Sequence, residues 1–296
     1  LDVYGEMLDL AQVQVRLGGK LNPRERTLLA DVADEVAAVW RQPDASLWEA
    51  RSDPRHYAHS KLMAWVALDR AIDILGERAA WTAARDAVAE ALREGTTGGH
   101  IPRVLPFDGD PGGEGMDASL LLAPVHGVDL PLDVLDATVR AVEAELRDGD
   151  FLRRYRGGDG LPGEEGAFLI CSFWLVDAML ATDRAEEARA LFERLLKLAN
   201  DVGLFAEEAD PETGDHLGNF PQAFTHLALI GSAVNLALHD EGGAAAIRGA
   251  YADRAERAAG ATYGLAGGLS GLAAGVKRGG RGVRLTSSKA SVLTVD

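Results

Sequence analysis

Four loops of this chain collect the residue types that could do chemistry, namely carboxylates, aromatic rings, glycine and proline. The loops span residues 43–55, 96–116, 149–165 and 203–221. A segment that only connects two helices needs to be short and polar, whereas binding and catalytic residues concentrate on longer loops of mixed composition. We therefore expect a functional site in these loops.

Two glutamates of these loops, Glu49 and Glu207, are the candidates of greatest interest. Taken alone, each also has a plain structural explanation. Glu49 could be a first-turn charge of the helix that begins near residue 57, where the helix dipole favours an acid. Glu207 could be one of the many solvated acids of an acidic protein. Composition and spacing leave both explanations open.

Other chemistries find weaker support in the sequence. His56 and His59 lie three residues apart and could share a helix face, but no third ligand with zinc-like spacing follows. The glycine-rich segment 157–160 lacks the lysine of a phosphate-binding loop and follows no strand. Cys171 lies in an apolar helix, where a thiol is normally a packing group. No Ser/His/Asp arrangement stands out.

The elements that must position these loops are helices, because alanine, leucine, glutamate and arginine dominate and runs of β-branched residues are scarce. The expected class is all-α. The predicted helices span residues 2–17, 24–41, 57–75, 77–94, 117–124, 131–147, 165–182, 184–200, 221–239 and 243–259.

The predicted helices come in five pairs with a regular difference between the two members. The first member is apolar and aromatic on most sides, as in 60–75, 168–180 and 220–238, whereas the second is charged with one apolar stripe. A helix that is apolar all round must be buried, and an amphipathic helix covers it from outside. This alternation predicts inner and outer rings of helices, an α/α barrel formed by residues 1–259.

Composition and charge narrow the partners. The chain has 296 residues, 47% of them hydrophobic, and a formal charge of -16. Such a surface repels phosphate backbones and anionic lipid, so we expect no nucleic acid and no membrane partner, and a neutral small substrate fits better. One cysteine rules out an internal disulfide, which favours a cytoplasmic location. No apolar run is long enough for a membrane span.

The two ends of the sequence differ from its body. The chain starts at Leu1, already inside a predicted helix, which suggests that a segment upstream is missing. Residues 260–296 are rich in glycine, nearly free of acidic groups and basic in their second half, and are predicted to form a flexible tail.

Three stretches resemble glycoside hydrolase family 15, the group of glucoamylases and related trehalases. They are residues 47–71 with Leu-Trp-Glu-Ala-Arg at the start, residues 159–177 with Asp-Gly-Leu-Pro-Gly-Glu-Glu, and residues 200–230 with Leu-Phe-Ala-Glu-Glu and Leu-Gly-Asn-Phe-Pro-Gln-Ala-Phe. With residues 1–10 and 117–121, the resemblance covers the chain from residue 1 to about residue 238. Its motifs are long and follow in the family's order.

The resemblance implies roles for the two glutamates. Glu49, after the tryptophan of the first stretch, corresponds to the general acid, and Glu207, the first glutamate of the Ala-Glu-Glu loop, corresponds to the general base. Cleavage of a glycosidic bond with inversion needs one carboxylic acid on the leaving oxygen and one carboxylate that activates water. The acid needs a raised pKa, which burial of Glu49 beside Trp48 could supply.

Candidate sugar-binding residues lie near the two acids. Trp48, Tyr155 and Phe168 offer rings on which the apolar face of a pyranose can stack. Arg154 corresponds to an arginine that contacts glucose hydroxyls in the family, although a surface arginine beside Arg153 and Arg156 is an equally good explanation. Glu165 lies at the mouth of the same loop, where the helix dipole alone would also favour it. Four other residues are assigned to packing, namely Met63, Trp65, Trp174 and Phe224.

The resemblance thus implies an inverting, exo-acting α-glucoside hydrolase without metal or organic cofactor. Its substrate would be a maltooligosaccharide, a dextrin or trehalose. Family members carry upstream an N-terminal β-sandwich and a first barrel segment with an Arg-Asn-Trp-Asp-Tyr-Arg motif, and their barrel is an (α/α)6 toroid. This sequence has neither, and its five helix pairs are one fewer than six. The alternative is therefore an incomplete, inactive barrel that binds carbohydrate or a protein partner.

Overall fold

The computed structural model describes residues 1–113, 115–156 and 165–269, with side chains up to residue 260. Within these ranges lie ten α-helices. They are α1 (Asp2–Arg16), α2 (Pro23–Val39), α3 (Ala58–Leu75), α4 (Ala79–Glu94), α5 (Ala123–His126), α6 (Leu132–Leu146), α7 (Leu169–Ala181), α8 (Ala185–Leu195), α9 (Ala223–Gly242) and α10 (Tyr251–Leu269). A 3₁₀ helix, Ala118–Leu122, leads directly into α5, and two more cover Leu196–Leu198 and Ala244–Ala246.

The helices of the core are apolar on nearly all sides. Helix α3 buries thirteen residues along its length, from Ala58 to Ala71, and α7 buries ten. Helix α3 packs against α1, α2 and α4, whereas α7 packs against α8, α9 and the 3₁₀ helix Ala118–Leu122. Surrounded in this way, α3 and α7 form the centre of the fold.

The covering helices bury one stripe each. In α8 the buried residues are Ala188, Leu191, Phe192 and Leu195, which follow helical spacing, and α2, α4 and α6 show the same pattern. At the start of α2, Asn22 and Glu25 form a reciprocal capping box and Pro23 occupies the first turn, which satisfies free N–H groups there. The described helices form five inner and outer pairs. The prediction of an all-α barrel is confirmed.

In the described part of the chain, five strands of two residues lie in the loops ahead of the core helices. Strands β1 (Arg147–Asp148) and β2 (Phe151–Leu152) form one antiparallel pair. Strands β3 (Ala167–Phe168), β4 (Glu208–Ala209) and β5 (His216–Leu217) form an antiparallel sheet in the order β3-β4-β5. This sheet ties the segment before α7 to the segment before α9.

Two predicted helices differ from the structure. The helix expected over 117–124 is a 3₁₀ helix followed by α5, and the one expected over 243–259 is split. The helical conformation is interrupted at Gly249, whose φ of +124° suits only glycine. The Gly249 Cα also lies 2.6 Å from the position that a Cβ on Gly127 would occupy. This close approach of two backbones ends the 3₁₀ turn and lets α10 begin at Tyr251.

Helices α1 and α9 each expose an apolar face. The faces consist of Val3, Met7 and Leu10 on α1 and of Phe224, Leu227 and Ile230 on α9. Apolar faces on the first and last inner helices were expected from the five-pair count, and this expectation is confirmed. The assignment of Phe224 to packing is wrong, because 65% of its surface is exposed, whereas Met63 and Trp65 are buried.

Helix α10 packs against both α1 and α9. It continues through the predicted domain boundary at residue 260 to Leu269, and the rest of the predicted tail, 270–296, lies outside the described residues. Among the described helices, none combines the length and apolarity needed to cross a bilayer.

Candidate active site

The first loop of the candidate site, residues 43–56, is closed at its base and turned inward at its tip. Asp44 and Arg55 exchange backbone hydrogen bonds of 3.0 and 2.9 Å across the base. At the tip the indole N–H of Trp48 donates to both carboxylate oxygens of Asp117, at 2.9 and 3.0 Å. The next residue, Glu49, has a φ of +51°. The loop therefore directs Trp48 into the protein at the point where the backbone turns.

Trp48 is the centre of an aromatic cluster. Its ring centroid lies 6.4 Å from that of Tyr155, 6.1 Å from that of Phe168 and 6.2 Å from that of Trp174. The structure thus brings together the three rings that the sequence nominated for sugar binding. Trp174, which the sequence assigned to packing, is half-buried in the same cluster. Tilted rings at these distances give stable contacts.

Arg154 lies against this cluster and is paired. Its guanidinium carbon lies 5.7, 4.8 and 5.0 Å from the ring centroids of Trp48, Tyr155 and Phe168. The Arg154 Nε donates to Glu165 Oε2 at 2.7 Å, and a second guanidinium nitrogen donates to Glu165 Oε1. A bidentate pair holds the planar fork in a fixed orientation. The two residues nominated from the third loop therefore act as one unit beside the rings.

Glu207 is fixed through both its backbone and its side chain. Its N–H donates to the Asn219 carbonyl at 2.9 Å, and its carbonyl accepts from the Leu169 N–H at 3.0 Å. Its carboxylate accepts from the Asn219 N–H at 3.0 Å, from the Asn219 side chain at 2.9 Å and from the Gln222 side chain at 3.1 Å. Gly218 passes so close that a Cβ would lie 2.8 Å from Glu207 Oε2. The Glu207 carboxylate thus has a defined position held by neutral donors.

Glu208 lies behind Glu207 in strand β4, opposite Phe168 in β3. Burial raises the pKa of the Glu208 carboxyl, and the nearby charges of Glu165 and Glu207 raise it further, while the Gly166 N–H and Arg154 oppose the shift. Glu208 therefore retains its proton to a higher pH than a free glutamic acid does, and while protonated it can donate a hydrogen bond.

Glu49 differs from Glu207 in its surroundings. The side chain is exposed, and its carboxylate makes no hydrogen bond or ion pair with the residues that the structure describes. The expectation that burial beside Trp48 encloses Glu49 is wrong for this chain. The physical reason is the turn at residue 49, which sends the indole inward toward Asp117 and leaves the following side chain on the outer surface of the loop.

The loops of Glu49 and Glu207 meet at Phe168 and Leu169. The Phe168 ring contacts Trp48, and the next residue, Leu169, donates its N–H to the Glu207 carbonyl. Leu169 is also the first residue of α7. Both glutamates therefore lie at the same end of the barrel, at the start of a core helix. Their carboxyl-to-carboxyl distance of 6.5–9.5 Å, suited to inversion, stays a prediction.

Comparison with known proteins found a family, several relatives and solved structures that are similar to this chain. The sequence profile of Glycosyl hydrolases family 15 matches residues 1–234. This chain belongs to glycoside hydrolase family 15. It is 39% identical over 248 residues to a trehalase of Mycolicibacterium smegmatis, and the match covers 81% of the chain and 37% of that trehalase. It is 36% identical over 238 residues to a trehalase of Thermoplasma acidophilum, with 78% of the chain and 40% of that protein covered.

The family 15 chain thus spans about two fifths or less of the curated trehalases that it matches. Solved structures share the fold. A glycosidase in complex with glucose superposes with a TM-score of 0.66 at 18% identity, covering 80% of this chain and 66% of that one. A wild-type glycosidase gives a TM-score of 0.60 at 18% identity, covering 87% and 64%.

The sequence analysis did not single out several residues that build the candidate site. Asp117, Asn219 and Gln222 fix Trp48 and Glu207, and Glu208 adds a third carboxyl group. The signal that could have found Asn219 and Gln222 is their place in the loop before α9, twelve and fifteen residues after Glu207. The two histidines considered as metal ligands have different surroundings. The His56 ring packs on the Phe107 ring, with 4.9 Å between centroids, whereas both ring nitrogens of His59 are buried without a hydrogen-bond partner among the described residues.

Proposed function

We propose that this chain is the part of an α-glucoside hydrolase that carries both catalytic carboxylates, with Glu49 as general acid and Glu207 as general base. The proposed substrate is trehalose, because the trehalases of two distantly related organisms are 39% and 36% identical to it. Maltooligosaccharides and dextrin are the other α-glucosides that the family resemblance implies. The proposed reaction inverts the anomeric centre.

The observation that carries the proposal is the junction at Phe168 and Leu169. Trp48, which directly precedes Glu49, contacts Phe168, and the Leu169 N–H holds the backbone of Glu207. An acid and a base on opposite faces of one sugar ring must come from two segments that face the same space. The contact of the two loops at this junction supports the proposal, although 158 positions separate the glutamates in the sequence.

The division of roles follows from the surroundings of the two groups. Glu207 is held by Asn219 and Gln222, so its oxygens have fixed directions, as activation of a single water molecule requires. Glu49 is exposed and makes no hydrogen bond or ion pair with the described residues, and we assign it the protonation of the oxygen that links the two sugar units. The rings of Trp48, Tyr155 and Phe168, with Arg154 against them, form the surface on which the glucosyl unit would lie.

The test uses the complete gene product that contains this chain, incubated with trehalose, maltose and a maltooligosaccharide. Proton NMR in the first minutes of hydrolysis should show β-glucose formed from the α-linked unit, because attack by a separate water molecule inverts the centre once. Early release of α-glucose alone would assign Glu207 as a nucleophile and contradict the proposed roles. Hydrolysis of maltose without hydrolysis of trehalose would contradict the substrate.

A second candidate function applies to the chain as it stands, namely binding of carbohydrate without turnover. Two observations favour it: the exposure of Glu49 and the open apolar faces of α1 and α9. Isothermal titration with trehalose distinguishes the two functions, since heat of binding without any release of glucose would support a binding role for residues 1–296. Release of glucose at an enzymatic rate by the isolated chain would exclude it.

A further inference from the structure

Asp117 is a buried acid beside the candidate site that has no catalytic assignment but accepts several hydrogen bonds. The residue is 3% exposed. Besides the Trp48 indole N–H, which donates to both of its oxygens, Oδ1 accepts from the Ser119 N–H at 2.9 Å and from the Ser119 hydroxyl at 2.6 Å. A buried carboxylate is costly unless its oxygens are paired. Asp117 meets that condition through donors from its own segment, at Ser119, and from the distant loop of Trp48.

The Asp117 backbone joins a third segment. Asp117 forms an antiparallel bridge with Tyr155, and the N–H of the next residue, Ala118, donates to the Arg154 carbonyl at 2.8 Å. The segment that carries the sugar-binding candidates Arg154 and Tyr155 is thereby joined to the residue that holds Trp48. A shift of Asp117 would move both sides of the site together.

Arg103 provides the counter-charge. Its Nε lies 3.6 Å from Asp117 Oδ2, an ion-pair distance, and both side chains are almost enclosed. The guanidinium carbon of Arg103 also lies 4.3 Å from the Tyr155 ring centroid. The same Nε finds no hydrogen-bond partner among the residues that the structure describes. The negative charge of Asp117 is therefore the group that compensates a nearly buried cation beside the site.

We propose that Asp117 is a positioning residue, which sets the place of Trp48, and through the shared peptide that of Glu49, relative to Arg154 and Tyr155. The inference rests on the proposed function of Glu49 as the general acid. Trp48 and Glu49 are adjacent, so a loop tip that is no longer held to Asp117 through the Trp48 indole can shift, and the acid shifts with it. Misplacement of a catalytic group by about 1 Å is enough to reduce a rate about 100-fold.

The test is Asp117→Asn in the complete gene product. Asparagine keeps the size and keeps an oxygen for Ser119, but it places an amide N–H₂ at the Oδ2 position, where Trp48 and Arg103 present donors. We expect kcat on trehalose to fall about 100-fold with KM changed by less than about threefold, because only transition-state positioning is lost. On α-glucosyl fluoride, whose leaving group needs little protonation, kcat should fall by less than about fivefold.

The contrast between the two substrates separates positioning of the acid from general damage. A matched control is Asp34→Asn, since Asp34 accepts the indole N–H of Trp81 at 2.6 Å in an outer helix pair. That variant should keep both activities. An equal loss on both substrates in Asp117→Asn would overturn the proposal. If Asp117→Asn does not fold, Ser119→Ala removes the hydroxyl that donates to Asp117 Oδ1 at 2.6 Å, and it too should lose more activity on trehalose than on the fluoride, the reverse again overturning the proposal.

A second readout does not depend on the proposed function. In protein labelled with ¹⁵N at tryptophan, Asp117→Asn should shift the Trp48 indole N–H resonance and speed its exchange with solvent, and Asp34→Asn should do so for Trp81 alone. An unchanged Trp48 resonance would overturn the role of Asp117 whatever the enzyme does. If the wild type hydrolyses neither substrate but the resonance shifts, the proposed function fails while the anchoring of Trp48 by Asp117 stands.

Discussion

At the scale of single residues, the two proposed catalytic glutamates are prepared to different degrees. Glu207 has three donors on its carboxylate and hydrogen bonds on both sides of its backbone, whereas the Glu49 carboxylate is exposed. Order of this kind matters most for a base that must direct a water molecule at one carbon atom. A general acid needs to meet its oxygen only when the substrate is bound.

The first prediction concerns these two carboxylates. In the complete gene product, Glu207→Gln and Glu49→Gln should each reduce kcat on trehalose by about three orders of magnitude or more, with KM much less affected, because both act mainly in the transition state. Steady-state kinetics measure both constants.

Matched controls lie in the same loops. Glu212→Gln and Asp53→Asn neutralise exposed acids near Glu207 and Glu49, and both should keep activity within about twofold, as surface charges contribute little. A Glu49→Gln enzyme with nearly normal kcat would show that another group protonates the leaving oxygen.

The sequence found the individual residues of the site better than the contacts between them. Trp48, Tyr155 and Phe168 were nominated as rings and do form one cluster. Asp117 was missed as a site residue, because it is 69 positions from Trp48 and only the folded chain makes them neighbours. The exposure of Glu49 could not be foreseen either, since it depends on the direction of one turn with a positive φ.

At the scale of elements, the helices were predictable and the strands were not. Apolar periodicity over ten or more residues located the core helices within a few residues, and the buried length of α3 and α7 follows from it. A strand of two residues has no periodicity to read. Strands β3 and β4 exist because the loops before α7 and α9 are brought together by helix packing, and the sheet then fixes Glu208 and its neighbour Glu207.

The second prediction concerns Asp177, which links α7 to the end of the barrel that α9 and α10 form. Burial raises the pKa of the Asp177 carboxyl to about 6, opposed by Asn235 and Arg254. A raised carboxyl pKa means that the folded state binds the proton more tightly than the unfolded state. On account of Asp177, stability should therefore be greatest below about pH 4 and decline as the pH rises toward 6.

Asp177→Asn should remove this decline. Relative to the wild type, the variant should gain roughly 3 kcal/mol between pH 3.5 and pH 7, a figure that follows from the size of the shift. Urea unfolding at several pH values measures the difference. A parallel dependence of wild type and variant on pH would show that Asp177 ionises in the fold as freely as in the unfolded chain. Asp183→Asn, an exposed acid just after α7, serves as the control.

At the scale of the whole molecule, the barrel has an open side. The apolar faces of α1 and α9 are exposed, with Leu10 at 70% and Leu227 at 65%. On a monomer, contiguous apolar patches above a few hundred Å² are unusual and mark contact surfaces or sites of aggregation. The trehalases that this chain resembles are more than twice as long as the matched region. We expect additional chain in those proteins to cover such faces.

The third prediction is that residues 1–296 in isolation self-associate and bind an apolar fluorescent dye. The double variant Leu227→Gln and Ile230→Gln should reduce both effects, because it removes two of the three large apolar side chains from the exposed face of α9. Leu132→Gln, which removes an exposed leucine from the outer helix α6, is the matched control and should change neither. Sedimentation velocity and dye fluorescence provide the measurements, and a wild-type chain that stays monomeric without binding dye would contradict the prediction.

The last prediction concerns activity of the chain by itself. The open side lies next to the site, since α9 follows the loop of Glu207 and the N-terminal amino group before α1 pairs with Asp44 in the loop of Glu49, at 3.0 Å. We therefore expect the segment that covers these faces in longer relatives to supply part of the contacts that position a bound sugar. Correct positioning of the reacting groups accounts for about 7–11 kcal/mol of a barrier, so two retained glutamates do not offset its loss.

We expect residues 1–296 to hydrolyse trehalose and maltose far below about 1 s⁻¹, while the complete gene product reaches ordinary enzyme rates. Both forms are assayed at the same molar protein concentration, and the Glu207→Gln variant of each form serves as the blank. A monomeric preparation of residues 1–296 that turns over trehalose as fast as the complete protein would show that the described residues already enclose the substrate.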